Sequence, residues 1–174
     1  MSDKIVRPAQ RDDFFTRPPM HVILVEPEIP PNTGNVSRTC YATGSTLHLI
    51  EPLGFEINNA RLRRAGLDYW EHADIRVHKS LDDVIGPIVP PEQCFFFTTR
   101  ATKPIWEAPI KPGSALVFGK ESTGLGPVLL EKYKDQLYHL PVVPGTVRSI
   151  NLSNTVAVAL YDCYRQLSST GWNG

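Results

Sequence analysis

Three short stretches carry the polar and glycine residues whose types and spacing could support chemistry. In the first, Asn32, Asn35 and Arg38 recur every three residues, so on a helix they share one face. Placed after a first strand, such a face is where α/β proteins put function; it also suits a solvated surface, with the asparagines as helix caps. In the second stretch, residues 115–126, the apolar run Ala-Leu-Val-Phe breaks into a loop holding Gly119, Lys120, Glu121, Gly124 and Gly126. Pro127 then opens a helix. Strand, glycine loop and helix form an arrangement that holds ligands at the carboxyl ends of strands, and a nucleoside-like cofactor fits it. The same glycines would serve a purely structural turn. The third stretch, Ser149-Ile-Asn-Leu-Ser-Asn154, leads into the last helix, with Ser149 or Asn151 as its cap.

Two familiar loop chemistries are excluded. A phosphate-binding P-loop needs Lys-Ser or Lys-Thr directly after its last glycine, whereas Gly124 is followed by Leu125 and Gly126. Gly119, Gly124 and Gly126 also miss the spacing of the dinucleotide fingerprint, which disfavours a nicotinamide- or nucleotide-using enzyme. Cys40, Cys94 and Cys163 lie far apart in apolar segments and read as reduced core residues of a cytoplasmic protein. The five histidines show no metal-ligand pattern, so no metal is expected. No apolar run is long enough to span a membrane.

Lys and Arg total 18 and Asp and Glu total 18, so any nucleic-acid binding must come from a local cluster rather than from net charge. The best cluster is Arg61, Arg63 and Arg64 near Tyr69 and Trp70. Guanidinium groups suit phosphates and aromatic rings suit unpaired bases, although a surface helix with inward aromatics has the same pattern.

The elements that must position these residues alternate between strand and helix. Strands are expected at 21–26, 46–50, 75–78, 94–99, 115–118 and 136–140. Helices are expected from about residue 32 to 42 with Gly44 as the stop, at 81–85, at 127–133, and from the third stretch to about 167. Pro27, Pro30 and Pro31 predict an extended turn before the first helix, and 100–112 reads as a loop. This alternation predicts an α/β fold with a mostly parallel sheet flanked by helices, in one domain over 21–168. A mobile extension is expected at 1–20 and a tail at 169–174. The last helix has an apolar stripe at Leu152, Val156, Leu160, Cys163 and Leu167, and a second at Ala157, Tyr161 and Tyr164. So wide an apolar arc predicts burial against more than one sheet face, most simply in a homodimer.

Together, the three stretches resemble one family. Pro31-Asn-Thr-Gly-Asn-Val-Ser-Arg38, Phe118-Gly-Lys-Glu-Ser-Thr-Gly-Leu125, and Leu140-Pro141 with Ser149-Ile-Asn-Leu-Ser-Asn154 resemble the three motifs of the SPOUT class of RNA methyltransferases, in order. Glu26-Pro-Glu-Ile-Pro-Pro-Asn-Thr-Gly-Asn35 and Arg61-Leu-Arg-Arg-Ala-Gly-Leu-Asp-Tyr69 look like the branch that methylates the wobble cytidine or uridine of tRNA at the ribose 2′-oxygen. The resemblance implies a deep C-terminal trefoil knot, bound S-adenosylmethionine, and a homodimer with its active site near the subunit interface. By position it implies cofactor contacts at Phe97, Thr98, Gly119, Glu121, Leu140, Val142, Ser149 and Leu152. It makes Arg38 the candidate base, with Asn35 orienting Arg38 or the ribose and Ser149 in the pocket. Arg61, Arg63, Arg64 and Lys120 become candidates for the phosphates of the anticodon stem-loop. A ribosomal RNA ribose is the rival substrate, and a non-catalytic RNA-binding protein the rival class. The stretch 143–149 is slightly longer than the family pattern.

Overall fold

The computed structural model describes residues 18–56 and 72–169. The extension expected at 1–20 therefore falls almost wholly outside the described residues, as do Arg61, Arg63, Arg64, Tyr69 and Trp70.

Seven strands form one sheet: β1 His21–Val25, β2 Thr46–Ile50, β3 Ile75–His78, β4 Cys94–Phe97, β5 Lys103–Pro104, β6 Ala115–Phe118 and β7 Leu137–His139. Their order is β3-β2-β1-β6-β4-β7-β5, and every neighbouring pair is parallel. The reason is visible in the strands themselves. Val-Ile-Leu in β1, Phe-Phe-Phe in β4 and all of β6 are apolar on both faces, which only a sheet covered on both sides can bury.

One face packs under α1 (Pro30–Thr43) and α3 (Leu152–Ser169), which lie side by side. Val22, Leu24, Leu47, Leu49, Leu116 and Phe118 meet Val36 and Cys40 of α1 and the Val156, Leu160, Cys163 and Leu167 stripe of α3 there. The second expected stripe divides. Tyr164 is wholly buried with its hydroxyl 2.8 Å from Ser45 Oγ, while Tyr161 is half exposed. The other sheet face packs Ile23, Phe96 and Val117 against Leu81, Val84, Leu125 and Tyr133. Tyr133 closes the short helix α2 (Pro127–Lys132) and stacks on Phe96 at 4.1 Å between ring centroids.

Several boundaries differ from the sequence expectation, each for a local reason. Pro30 and Pro31 occupy the first turn of α1 instead of an extended turn, because a first-turn proline lacks only an N–H that has no helical partner anyway. Gly44 ends α1 as expected, at φ 67°, with its N–H turned back to Cys40 and Tyr41. Residue 26 leaves β1 at φ 51°, and 98–99 leave β4. The segment 100–112 contains β5, which pairs with β7 at the sheet edge, where a proline is tolerated. The helix expected at 81–85 is a single 3-10 turn, Leu81–Asp83, held by a Ser80–Asp83 capping box.

In the sheet order, β1 leads outward through β2 and β3, while β6, β4, β7 and β5 lie on its other side. The carboxyl ends of β1 and β6 therefore border the crevice where the winding direction changes, which is where open α/β sheets bind ligands.

Candidate active site

The loops leaving β1 and β6 are tied together across that crevice. Lys120 Nζ pairs with the carboxylate of Glu26. Ser122 donates both its N–H and its hydroxyl to Glu28, each at 2.9 Å. Glu121 accepts the N–H groups of Glu28 at 2.8 Å and Ile29 at 3.2 Å, and the amide of Asn32 at 3.0 Å. α1 has no side-chain cap of its own. Glu121, some 90 residues further along the chain, supplies a carboxylate at the helix N-terminus, where the dipole favours negative charge.

The same network reaches the third stretch. Asn151 donates its amide to Asn32 Oδ1 at 3.0 Å. Its own Oδ1 accepts the Ser153 N–H at 2.8 Å and hydroxyl at 2.7 Å, so Asn151, rather than Ser149, caps α3. Glu121, Asn32 and Asn151 thus join all three stretches in one run of side-chain hydrogen bonds. Ser122 holds the Glu28 carboxyl below its ordinary range, and Glu26 raises the Lys120 ammonium above its own.

Asn32 is buried, with its amide nitrogen toward Glu121 and its amide oxygen toward Asn151. Asn32→Ala is expected to lower stability by about 1–3 kcal/mol, the cost of buried partners left unpaired. Asn32→Asp should cost more, because a second carboxylate would face Glu121. A thermal melt that ranks Asp above Ala at neutral pH would contradict this arrangement.

Two glycines of the second loop, Gly119 and Gly124, serve the loop's own folding. Gly124, at φ 70°, donates its N–H to Lys120 O at 2.8 Å and turns the chain back over the end of β6. A Cβ on Gly119 would lie 2.1 Å from the Gly124 carbonyl carbon and 2.2 Å from Leu125 N. At Gly119 the close approach is made by the loop's own backbone.

Above this turn lies a cavity of about 650 Å3. Its wall includes all eight residues singled out for cofactor contact: Phe97 and Thr98 at the end of β4, Gly119 and Glu121 in the loop, Leu140 and Val142 after β7, and Ser149 and Leu152 before and in α3. Lys120 is in the wall too, with its charge engaged by Glu26. Asn35 and Arg38 are not; both are exposed on α1, while Asn32 turns inward from the face they were expected to share. Among the wall residues that sequence reading did not single out are Arg100, His139 and Arg148, which sit outside the motif cores. A more open depression of about 930 Å3 beside Val77 and Lys79 holds none of the singled-out residues.

Among the described residues no group of three or more His, Cys, Asp or Glu could hold a metal ion. All three cysteines are free and buried, and burial pushes the Cys94 thiol up to about 12. None is poised as a nucleophile. Among the described residues no helix is long and apolar enough to cross a membrane.

A parallel sheet whose switch-point crevice carries a tight glycine turn and a cavity of mixed polar and apolar lining defines an α/β protein built to hold a cofactor-sized ligand. The chain belongs to the SpoU rRNA methylase family, which it matches over residues 19–161. It is 50% identical over 153 residues to a tRNA (cytidine(34)-2′-O)-methyltransferase of Burkholderia pseudomallei, covering 87% of this chain and 97% of that one. A solved structure concerned with 2′-OH methylation of C/U34 on tRNA shares 43% identity at a TM-score of 0.76, covering 86% of this chain and 97% of that one. The TrmH/SpoU tRNA-modifying enzyme of A. aeolicus, at 23% identity and a TM-score of 0.67 over 87% of this chain and 77% of that one, shares the fold.

Proposed function

We propose that this chain transfers a methyl group from S-adenosylmethionine to the ribose 2′-hydroxyl of the wobble cytidine or uridine of tRNA. The observation that carries this reading is the Glu121–Asn32–Asn151 connection, which draws the three motif loops around one cavity. Its close relatives named for that reaction support the choice of substrate. The cavity fits the cofactor. Its volume of about 650 Å3 is in the range of small-molecule sites. Phe97, Phe118, Leu140 and Leu152 offer apolar surface for a base and a thioether chain, and the surrounding loop backbone and Ser149 offer polar contacts.

S-adenosylmethionine supplies a methyl group on a positively charged sulfur, so the reaction neutralises charge instead of creating it. The protein's task is therefore alignment and exclusion of water more than stabilisation of a new ion. The hydroxyl must lose its proton as the oxygen–carbon bond forms. A guanidinium stays protonated at neutral pH, so Arg38 acts best by holding the neighbouring phosphate and polarising the hydroxyl. Asn35 stands one helical turn before it and orients it. Ser149 lines the pocket beside the reacting groups.

Arg38 and Asn35 are outside their own chain's cavity wall, on the helix that packs beside α3. α3 presents Val158 and Tyr161, 51% and 48% exposed, and α1 presents Tyr41. These apolar side chains support a homodimer formed through α1 and α3, with the active site completed near the subunit interface. Val158→Glu with Tyr161→Glu is expected to give a monomer by light scattering with methyl transfer lost; an unchanged dimer would move the interface elsewhere. The position of β7 between β4 and β5, and the return of 140–151 to the β6 loop, support a C-terminal knot. A tRNA-modifying role supports a cytoplasmic location.

The deciding experiment is transfer of labelled methyl to bulk tRNA, followed by nuclease digestion. The expected product is 2′-O-methylated cytidine or uridine at the wobble position, and label confined to ribosomal RNA would overturn the substrate assignment. In the same assay Arg38→Ala should lose roughly 10²-fold or more in turnover, with cofactor affinity by calorimetry unchanged. Full turnover in that variant would remove Arg38 from the mechanism.

A further inference from the structure

The charged side chains around the cavity fall into two sets. Lys120 is paired with Glu26, Glu28 is held by Ser122, and Glu121 is held by two backbone N–H groups and Asn32. These four groups tie the β1 and β6 loops together, and their charges are engaged by one another, by Ser122 and by the N-terminus of α1. The second set is Arg100 and Arg148. Both line the cavity and both are exposed. Neither guanidinium makes a hydrogen bond or an ion pair with any of the described residues; the one bond of Arg100 is from its backbone N–H to Thr98 Oγ1.

The two arginines come from separate parts of the chain. Arg100 follows β4, and Arg148 lies in the segment between β7 and α3. The fold brings both to one cavity without giving either an acidic partner. A guanidinium is always charged and presents five donors in a planar fork matched to phosphate or carboxylate oxygens. Like charges on one rim repel, and an anion between them relieves that repulsion while satisfying both forks.

We propose that Arg100 and Arg148 form an anion clamp at the mouth of the cavity, holding a backbone phosphate of the substrate RNA beside the ribose to be methylated. The inference rests on the methyl-transfer reading above and adds the residues that seat the substrate. A phosphate fits better than the carboxylate of the cofactor. The forks are on the exposed rim, and the cofactor carboxylate carries its own ammonium counter-charge whereas an RNA phosphate carries none. Lys120, the phosphate candidate of the second stretch, is already neutralised by Glu26, which leaves Arg100 and Arg148 as the cavity wall's unpaired cations among the described residues, in addition to the phosphate contact given to Arg38.

The test compares the wild-type chain with Arg100→Ala, Arg148→Ala, the double alanine variant and the double lysine variant. tRNA affinity is measured across a salt series, cofactor affinity by calorimetry, and folding by circular dichroism. Both side chains are exposed and unbonded, so the variants should fold as the wild type does. Each alanine should weaken tRNA binding and reduce the slope of log K against log salt by part of the about 0.7 that one single-stranded phosphate contact carries. The double variant should lose the whole of that slope, about 0.7, with cofactor affinity unchanged. The lysine variant should keep the salt slope, because charge is retained, yet lose turnover, because the planar fork is lost. An unchanged slope in the double alanine variant of a chain whose wild type methylates tRNA would overturn the clamp and leave the methyl-transfer reading standing. A loss of cofactor affinity with tRNA binding intact would assign the arginines to the cofactor carboxylate and also overturn it. A wild-type chain that neither binds nor methylates tRNA would overturn both.

Discussion

Gly119→Ala should abolish cofactor binding, lowering affinity by at least about 10²-fold, a loss that misplacement of a site by roughly 1 Å can produce. The added Cβ would lie 2.1 Å from the Gly124 carbonyl carbon, 2.2 Å from Leu125 N and 2.4 Å from the Gly124 oxygen. Carbon atoms in contact sit about 3.5–4.0 Å apart, so the turn must move outward by more than an ångström. All three obstructing atoms are backbone, so no rotamer change relieves the clash. Moving the turn breaks the Gly124 N–H bond to Lys120 O. It also shifts Glu121, which caps α1 and holds Asn32. Cofactor binding and thermal stability should therefore fall together. Gly126→Ala is the matched control: a Cβ there meets nothing within 4 Å, at φ −66°. It should bind cofactor within a few-fold of wild type. If calorimetry finds the two variants alike, the tight turn is not what shapes the cavity.

This glycine also shows how far the sequence could be read. Strands such as 46–50, 75–78 and 115–118 were legible residue for residue, because short apolar or β-branched runs ended at glycine, proline or polar residues. Much of the cavity wall was legible through the family resemblance, since each motif places its wall residues along a few consecutive positions. Interactions between distant residues were not. Asn32, Asn35 and Arg38 looked equivalent, but a step of three residues lags a full turn by about 60°, so the face drifts. Tertiary contacts decided which residue turned inward. Nothing near Asn32 in sequence announces its bonds to Glu121 and Asn151, 89 and 119 residues away. Proline at 30 and 31 was compatible with an extended turn and with a helix start, and the carboxylate that selects the helix start comes from another loop. β5 is two residues long and includes a proline, which leaves no periodicity to detect.

The fold's stability should fall as pH drops below about 6.5, the ordinary value for histidine, and not only in the carboxylate range. His21, His48 and His78 form a ladder across β1, β2 and β3. His21 Nδ1 lies 3.0 Å from His48 Nε2, and His48 Nδ1 lies 2.9 Å from His78 Nε2. Each nitrogen pair holds one proton between its rings, so three neutral imidazoles satisfy the chain. His48, at the centre, is wholly buried, and burial followed by its two histidine neighbours pushes it down to about 3. His21 and His78 are lowered too, chiefly by burial. Asp74, whose carboxylate would favour a charged ladder, is already paired with Arg76 at 2.8 Å, and Arg76 opposes protonation; Asp83 favours it only at His78. With the folded values below the unfolded one, the unfolded chain binds more protons once the pH falls under 6.5. Stability contributed by the neutral ladder is therefore full above that pH and is lost as the pH falls toward 3. His48 alone contributes a slope of up to about 1.4 kcal/mol per pH unit over that window. Denaturant titrations from pH 7.5 to 4.5 should show the decline in wild type. His48→Gln should be less stable at pH 7.5, because His21 and His78 lose a partner, yet flatter with pH, because the most depressed group is gone. Equal slopes in the two proteins, or an imidazole nitrogen spectrum showing His48 charged at pH 5, would mean that the ladder does not set the acid limit of this fold.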